Sequence, residues 1–157
     1  MIKKIIAATL VSAVALFALP NNEMELALIS KASEKKAIVL ASMALTQEKK
    51  EKFGNLYDEY QEKLMTSRIS ELELIADYAK HYNDMTNENA NKLIKKWISI
   101  KEAKLELQKS YMKKFQDIMP SADVIRYFQI EHRLELLRDI KTSSVIPLAI
   151  PSELQAK

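Results

Sequence analysis

Cysteine is absent from the 157 residues, which excludes disulfides, thiolate metal sites, cysteine nucleophiles and a lipid-attached lipoprotein. The single glycine, Gly54, is too little to build a phosphate-binding loop. No Gly-x-Ser-x-Gly elbow is present, and neither of the two histidines has a serine and an acid in a recognisable triad arrangement. We therefore predict a protein that is not an enzyme and that carries no cofactor.

The first twenty residues read as a secretory signal peptide. Lys3 and Lys4 precede an uncharged apolar run, residues 5–19, which Pro20 ends. Fifteen apolar residues fall short of the roughly twenty that a membrane anchor needs. We expect cleavage that leaves a mature chain starting between about residues 16 and 24, a periplasmic location and no stable membrane span afterwards. An uncleaved anchor is the alternative.

Charge is nearly balanced once this leader is set aside. The chain has 24 basic and 21 acidic residues, a net charge of +3, and removing Lys3 and Lys4 leaves 22 minus 21, or +1. Nucleic-acid binding needs a concentrated basic surface. We therefore expect no nucleic-acid partner.

Helix breakers are rare, and the four prolines lie at positions 20, 120, 147 and 151, outside the long periodic stretches. The pattern predicts an all-α domain over residues 21–144 with four helices. The first runs from about Glu23 to Met43, and the others begin after the capping residues Thr46, Thr86 and Ser121.

The second and third helices are predicted to form a long antiparallel hairpin. Residues 46–85 hold six basic and nine acidic side chains (net −3), and residues 86–119 hold eight and four (net +4). Only about three residues join the two helices, and so short a connection favours antiparallel neighbours. Apolar residues widen the face of the third helix beyond a single stripe: Ile94, Ile98, Leu105, Met112 and Phe115.

Residues 145–157 are predicted to form an extended apolar C-terminal tail, because Ile146 and Ile150 each precede a proline. The tail either folds back over an exposed groove of the bundle or serves as a strand that docks a partner.

Two groups of side chains are candidate sites. His81 has Asp77 four residues before it and Asp84 three after, a weak candidate for a metal site, although this spacing is common by chance in a highly charged sequence. The other candidate surrounds Arg68, which interrupts an apolar stripe. Its guanidinium either lies in water above its own stem or joins a mixed apolar and cationic client-binding surface formed by Met65, Arg68, Ile69 and Leu72.

Residues 45–48, Leu-Thr-Gln-Glu, and residues 85–89, Met-Thr-Asn-Glu-Asn, resemble two copies of the Leu-Thr-x-x-Gln motif of the Spy/CpxP-type periplasmic proteins, with Lys49 and Asn89 at the closing glutamine. The chain from about Ala37 to Pro147 further resembles exported helical proteins of Gram-negative bacteria. The blocks that carry this second resemblance are residues 53–60, 77–79, 126–131 and 146–148.

The Spy/CpxP resemblance implies a cysteine-free, all-helical, dimeric protein of the envelope that acts as an ATP-independent chaperone or a stress sensor. We accordingly expect a periplasmic homodimer that holds unfolded or envelope protein clients on a helical surface. Two alternatives stay open: a non-enzymatic adaptor that docks one fixed envelope partner, and a periplasmic metal sensor.

Overall fold

The computed structural model describes residues 21–155 and the side chains of residues 31–154. Within these limits the chain is helical, without β-strands, in the order α1 (Asn21–Met43), α2 (Gln47–His81), α3 (Asn87–Ile118), α4 (Ser121–Ser143) and α5 (Ser152–Gln155). The prediction of an all-α fold with four helices in residues 21–144 is confirmed. The predicted signal peptide lies outside the described residues.

The helix starts follow two of the three predicted capping residues. The hydroxyl of Thr86 accepts a hydrogen bond from the backbone N–H of Asn89 at 3.1 Å, so its capping role is confirmed. Thr46 directly precedes α2, and its carbonyl accepts from the N–H of Lys50 at 2.9 Å. The prediction for Ser121 is wrong, because Pro120 occupies the cap position without a side-chain hydrogen bond and Ser121 is already inside α4.

The tail is not extended throughout. Residues 147–151 have no regular structure, as their prolines predict, but Ser152–Gln155 form one helical turn. The carbonyl of Pro151 accepts from the N–H of Leu154 at 2.9 Å, and Glu153 adds a negative charge at the positive end of the turn. The extended prediction is therefore wrong for these four residues.

Within the described part, the chain divides into two compact units where the sequence suggested one helical domain. The first, the α1–α4 unit, consists of residues 21–51 and 119–147, and the second, the hairpin unit, consists of residues 52–118 and 148–155.

Helices α1 and α4 pack antiparallel in the first unit. The Nζ of Lys35 lies 2.6 Å from the carboxylate of Glu131, and Arg126 Nε donates to the carbonyl of Ser42 at 2.9 Å. Buried side chains of both helices and their neighbours form the core of this unit: Val39, Met43, Met119, Val124 and Tyr127. Ala44, with φ of 51°, follows α1 in the left-handed conformation that glycine usually supplies at a helix end.

Most of α2 and all of α3 and α5 belong to the second unit. Three contacts define the register of α2 and α3. The rings of Tyr60 and Tyr111 are 5.0 Å apart, Glu71 lies 3.8 Å from Lys101, and His81 lies 3.1 Å from Asn89. Each step forward along α2 is matched by a similar step back along α3. The predicted antiparallel hairpin is therefore present.

An aromatic cluster closes the end of the hairpin away from its turn. Phe115 is fully buried, with its ring centroid 5.6 Å from that of Phe53 and 6.2 Å from that of Tyr60. Phe53 also contacts Tyr57 at 5.9 Å. Aromatic side chains of this size supply large buried apolar areas, so this cluster fixes how α2 and α3 meet.

Charge complementarity between the two helices also follows the prediction from residue counts. The following cross-hairpin ion pairs each have the acid on α2 and the base on α3: Glu59–Lys114 at 2.9 Å, Glu71–Lys101 at 3.8 Å, Glu73–Lys96 at 3.6 Å and Asp77–Lys96 at 3.1 Å.

Candidate functional site: the two sides of the hairpin

One side of the hairpin carries a group of ion pairs, which we call the ion-paired side. Glu59 directly precedes the buried Tyr60, and Lys114 directly precedes the buried Phe115. One residue corresponds to a rotation of about 100° around a helix. Because Glu59 and Lys114 contact each other at 2.9 Å, the positions just before the buried residues of α2 and α3 lie on the same side of the pair.

Hydrogen bonds on this side perturb several pKa values. The bond from Lys114 is the main reason that the pKa of Glu59 lies below its ordinary value, and a bond from the hydroxyl of Tyr111, at 2.6 Å, adds to it. The same contact with Glu59 raises the pKa of Lys114. Near the turn, the bond from Lys96 lowers the pKa of Asp77. The ion-paired side is thus charged at neutral pH.

The opposite side, which we call the apolar side, is formed by the residues that directly follow the contact residues. On α3, Leu105 follows the buried Lys104 and Met112 follows the buried Tyr111. On α2, Leu72 follows Glu71, which reaches Lys101 across the hairpin. Moving one residue forward from a contact residue turns the side chain by about 100° around its helix. Because the two helices run antiparallel, this turn brings the side chains of both helices to the same side of the pair.

Exposed apolar side chains concentrate on this side. Residues spaced by four, seven and seven positions on α3 form one row along the helix, and Ile69 lies beside the row of α2. Their exposed fractions are as follows: Ile69 48%, Ile94 57%, Ile98 43%, Leu105 50% and Met112 42%. The sequence pattern predicts that these four α3 residues, together with Phe115, widen the apolar face of the third helix. The structure leaves the four substantially open to solvent and buries Phe115.

The apolar side is layered along the hairpin axis. The register places Leu105 at about the level of Met65, and Ile98 at about the level of Leu72. Between these two apolar layers lies a central cationic layer, formed by Arg68 and Lys101. Arg68 Nη1 and Lys101 Nζ lie 4.0 Å and 3.8 Å from the two oxygens of one carboxylate, that of Glu71.

The predicted client-binding residues fall on or beside this side. Ile69 is exposed, whereas Met65, Arg68 and Leu72 are half-buried. Their role as a binding surface stays a prediction. Sequence reasoning missed the matching row on α3, although the recurrence of large apolar residues outside the stripe that faces α2 was a signal for it.

The predicted metal candidate is not assembled. His81 Nδ1 contacts the side-chain amide of Asn89, and the carboxylate of Asp77 is contacted by Lys80 and Lys96. Asp84 is exposed in the turn. Among the described residues, no three or more histidine, aspartate and glutamate side chains are grouped closely enough to hold a metal ion.

A small cavity of about 280 Å³ opens near the turn, lined by Asp77, His81, Asn89, Lys92, Leu93 and Lys96. Lys92 lies 2.6 Å from Glu88, and Lys96 lies 3.1 Å from Asp77. Because these cations already have carboxylate partners, the cavity offers no clear excess of either charge to a ligand.

No helix within residues 21–155 is both long enough and apolar enough to cross a membrane. No family model, no curated protein and no solved structure matches the chain. The resemblance to Spy/CpxP-type proteins therefore stays a prediction.

Proposed function

We propose that this protein is an ATP-independent chaperone that holds unfolded or envelope protein clients on the apolar side of the α2–α3 hairpin. The observation that carries the proposal is the row of exposed residues Ile94, Ile98, Leu105 and Met112. Several exposed apolar side chains on one side of a protein are typical of a site that binds other proteins. Methionine adds adaptability, because its flexible thioether packs against varied shapes.

The opposite chemistries of the two sides support the proposal. A holding chaperone needs one surface that captures apolar segments and another that keeps the complex in solution. The ion-paired side meets the second need, since its carboxylates and ammonium groups are charged at neutral pH. The periplasm as the working location, with cleavage of residues 1–20, and a homodimer as the working form are parts of the same proposal.

Aggregation of a chemically unfolded client, followed by light scattering without ATP, tests the proposal. The purified protein should suppress scattering at substoichiometric to equimolar amounts. The double variant Ile98→Gln/Leu105→Gln should lose most of this effect, because it removes exposed apolar surface from the two layers. Ile125→Gln/Leu136→Gln is the matched control, since these residues are similarly exposed on α4 in the other unit.

Two results would count against this function. Wild-type protein that leaves several unrelated clients to aggregate would favour the adaptor that docks one fixed partner, and a partner search would come next. If suppression occurs but the α3 and α4 double variants weaken it equally, clients do not use the apolar side specifically.

A further inference from the structure

The central cationic layer lies between the two apolar layers of the apolar side. Ile98 and Leu105 are seven residues apart on α3, which corresponds to about 10.5 Å along the helix, and Lys101 lies near the midpoint. At the same levels, Leu72 and Met65 flank Arg68 on α2. The client therefore meets two apolar layers with positive charge halfway between them.

Two cations of the central layer lie near the same carboxylate. Arg68 approaches one oxygen of Glu71 at 4.0 Å and Lys101 approaches the other at 3.8 Å. The next carboxylate on α3, Glu102, lies a further 100° or so around the helix, turned away from α2. Lys101 is about half exposed, at 47%, and its ammonium group is open to a ligand from solvent.

We propose that the apolar side selects client segments that carry a carboxylate midway between two large apolar side chains about 10 Å apart. In a helical segment this places the apolar residues seven positions apart with the acid at the third or fourth position between them. An extended segment does not fit this spacing, because its side chains share a face only every second residue, at about 6.6 or 13 Å. This inference names the client class of the proposed function and rests on it.

The acid contributes selectivity more than affinity. A carboxylate that reaches Lys101 and Arg68 gains charge-assisted hydrogen bonds, but both cations stay partly hydrated, so the gain is modest. A client with lysine at the same position places a third cation beside two others. Complementary charge favours the right partner and repels the wrong one.

Fluorescence anisotropy with labelled helical peptides tests this selectivity. The parent peptide has two leucines seven residues apart and a glutamate midway, and its analogues carry glutamine or lysine in place of the glutamate. We expect the dissociation constant to rise about threefold to tenfold for glutamine, and further for lysine. In the Lys101→Met variant the difference between glutamate and glutamine should fall below about twofold.

Lys109→Met is the matched control, because Lys109 is a comparably exposed lysine of α3 that pairs with Glu106 outside the central layer. This variant should preserve the preference for glutamate. Equal binding of the glutamate and glutamine peptides to wild-type protein would overturn the inference, as would full discrimination in Lys101→Met.

Failure of the inference is distinguishable from failure of the proposed function. Suppression of client aggregation without any preference among the three peptides would reject the acid-selective site and leave the chaperone proposal standing. Absence of both suppression and peptide binding would reject the chaperone proposal itself.

Discussion

The Phe115→Ala variant measures how much the aromatic cluster contributes to the stability of the hairpin unit, for comparison with the contribution of the ion pairs. Phe115 is fully buried against Phe53 and Tyr60. An aromatic side chain buries about 150–250 Å², which at about 25 cal/mol per Å² corresponds to roughly 4–6 kcal/mol of transfer free energy. Alanine retains part of that burial and leaves a cavity, so we expect a loss of about 3–5 kcal/mol in unfolding free energy.

The matched comparison is Lys96→Met, which removes two ion pairs at once. Lys96 contacts Glu73 and Asp77 at 3.6 Å and 3.1 Å, and all three side chains are between one-third and three-fifths exposed. Ion pairs so open to water contribute about 0–1 kcal/mol each. The methionine keeps most of the aliphatic stem, so we expect the unfolding free energy to fall by less than about 1.5 kcal/mol in total. In 1 M salt, which screens the ion pairs of the wild type, this loss should be smaller still.

Urea denaturation at pH 7 measures both losses. Trp97, the only tryptophan of the chain, belongs to the hairpin unit, so its fluorescence reports on that unit, whereas circular dichroism reports on all helices. Should Phe115→Ala not fold, Phe115→Leu gives a smaller loss, about 1–1.5 kcal/mol. A larger loss in Lys96→Met than in Phe115→Ala would refute the reasoning, because the hairpin would then depend mainly on its charges.

Three further predictions concern single residues. Gly54→Ala should raise the unfolding free energy by about 0.5–1 kcal/mol, since Gly54 lies inside α2 and an added Cβ meets nothing within 4 Å; a urea midpoint below that of wild type would contradict this. The lowered pKa of Glu59, caused first by Lys114, adds stability that is present above the ordinary value of 4.5 and is lost as pH falls through the lower folded value. Glu59→Gln should therefore unfold more easily than wild type at pH 7 and equally at about pH 2. Urea titrations in which the stability difference between the two proteins stays the same across this pH range would be inconsistent with this linkage. Thr86→Ala should lower the unfolding free energy by about 1 kcal/mol through loss of the cap on α3. Ser121→Ala should lower it by less than about 0.5 kcal/mol, because Ser121 caps nothing. Equal decreases in melting temperature for the two variants would argue against this assignment of the caps.

Much of the helical architecture could be predicted because local chemistry determines it. Thr46 and Thr86 precede α2 and α3, and opposite net charges on the two segments anticipated the ion pairs between them. The turn at Ser152–Gln155 was missed because two prolines nearby suggested extended backbone. Its signal was present in Pro151 followed by a serine and a glutamate, a common way to begin a helix.

The sidedness of the hairpin could not be predicted in the same way. Periodicity showed that α3 has a broad apolar face, but it does not determine which part of that face a neighbouring helix covers. Ile100 is buried, whereas Ile98 and Leu105 on the same helix are about half exposed. The distinction depends on the register with α2, which is set by contacts such as Tyr60–Tyr111 between residues far apart in sequence.

The ion-paired side is formed by residues that precede contact residues, and the apolar side by residues that follow them. This arrangement limits how the length of the hairpin can change in evolution. Inserting a single residue in the middle of α2 would turn everything beyond it by about 100°, so the distal carboxylates would enter the interface and the apolar row would move away from its counterpart. Inserting seven residues restores the phase to within about 20°, provided that α3 gains seven as well. Viable length variants of the hairpin should therefore differ by insertions that restore the phase, about seven or eleven residues, made in both helices. A lone insertion should occur only at the turn, where no phase has to be kept.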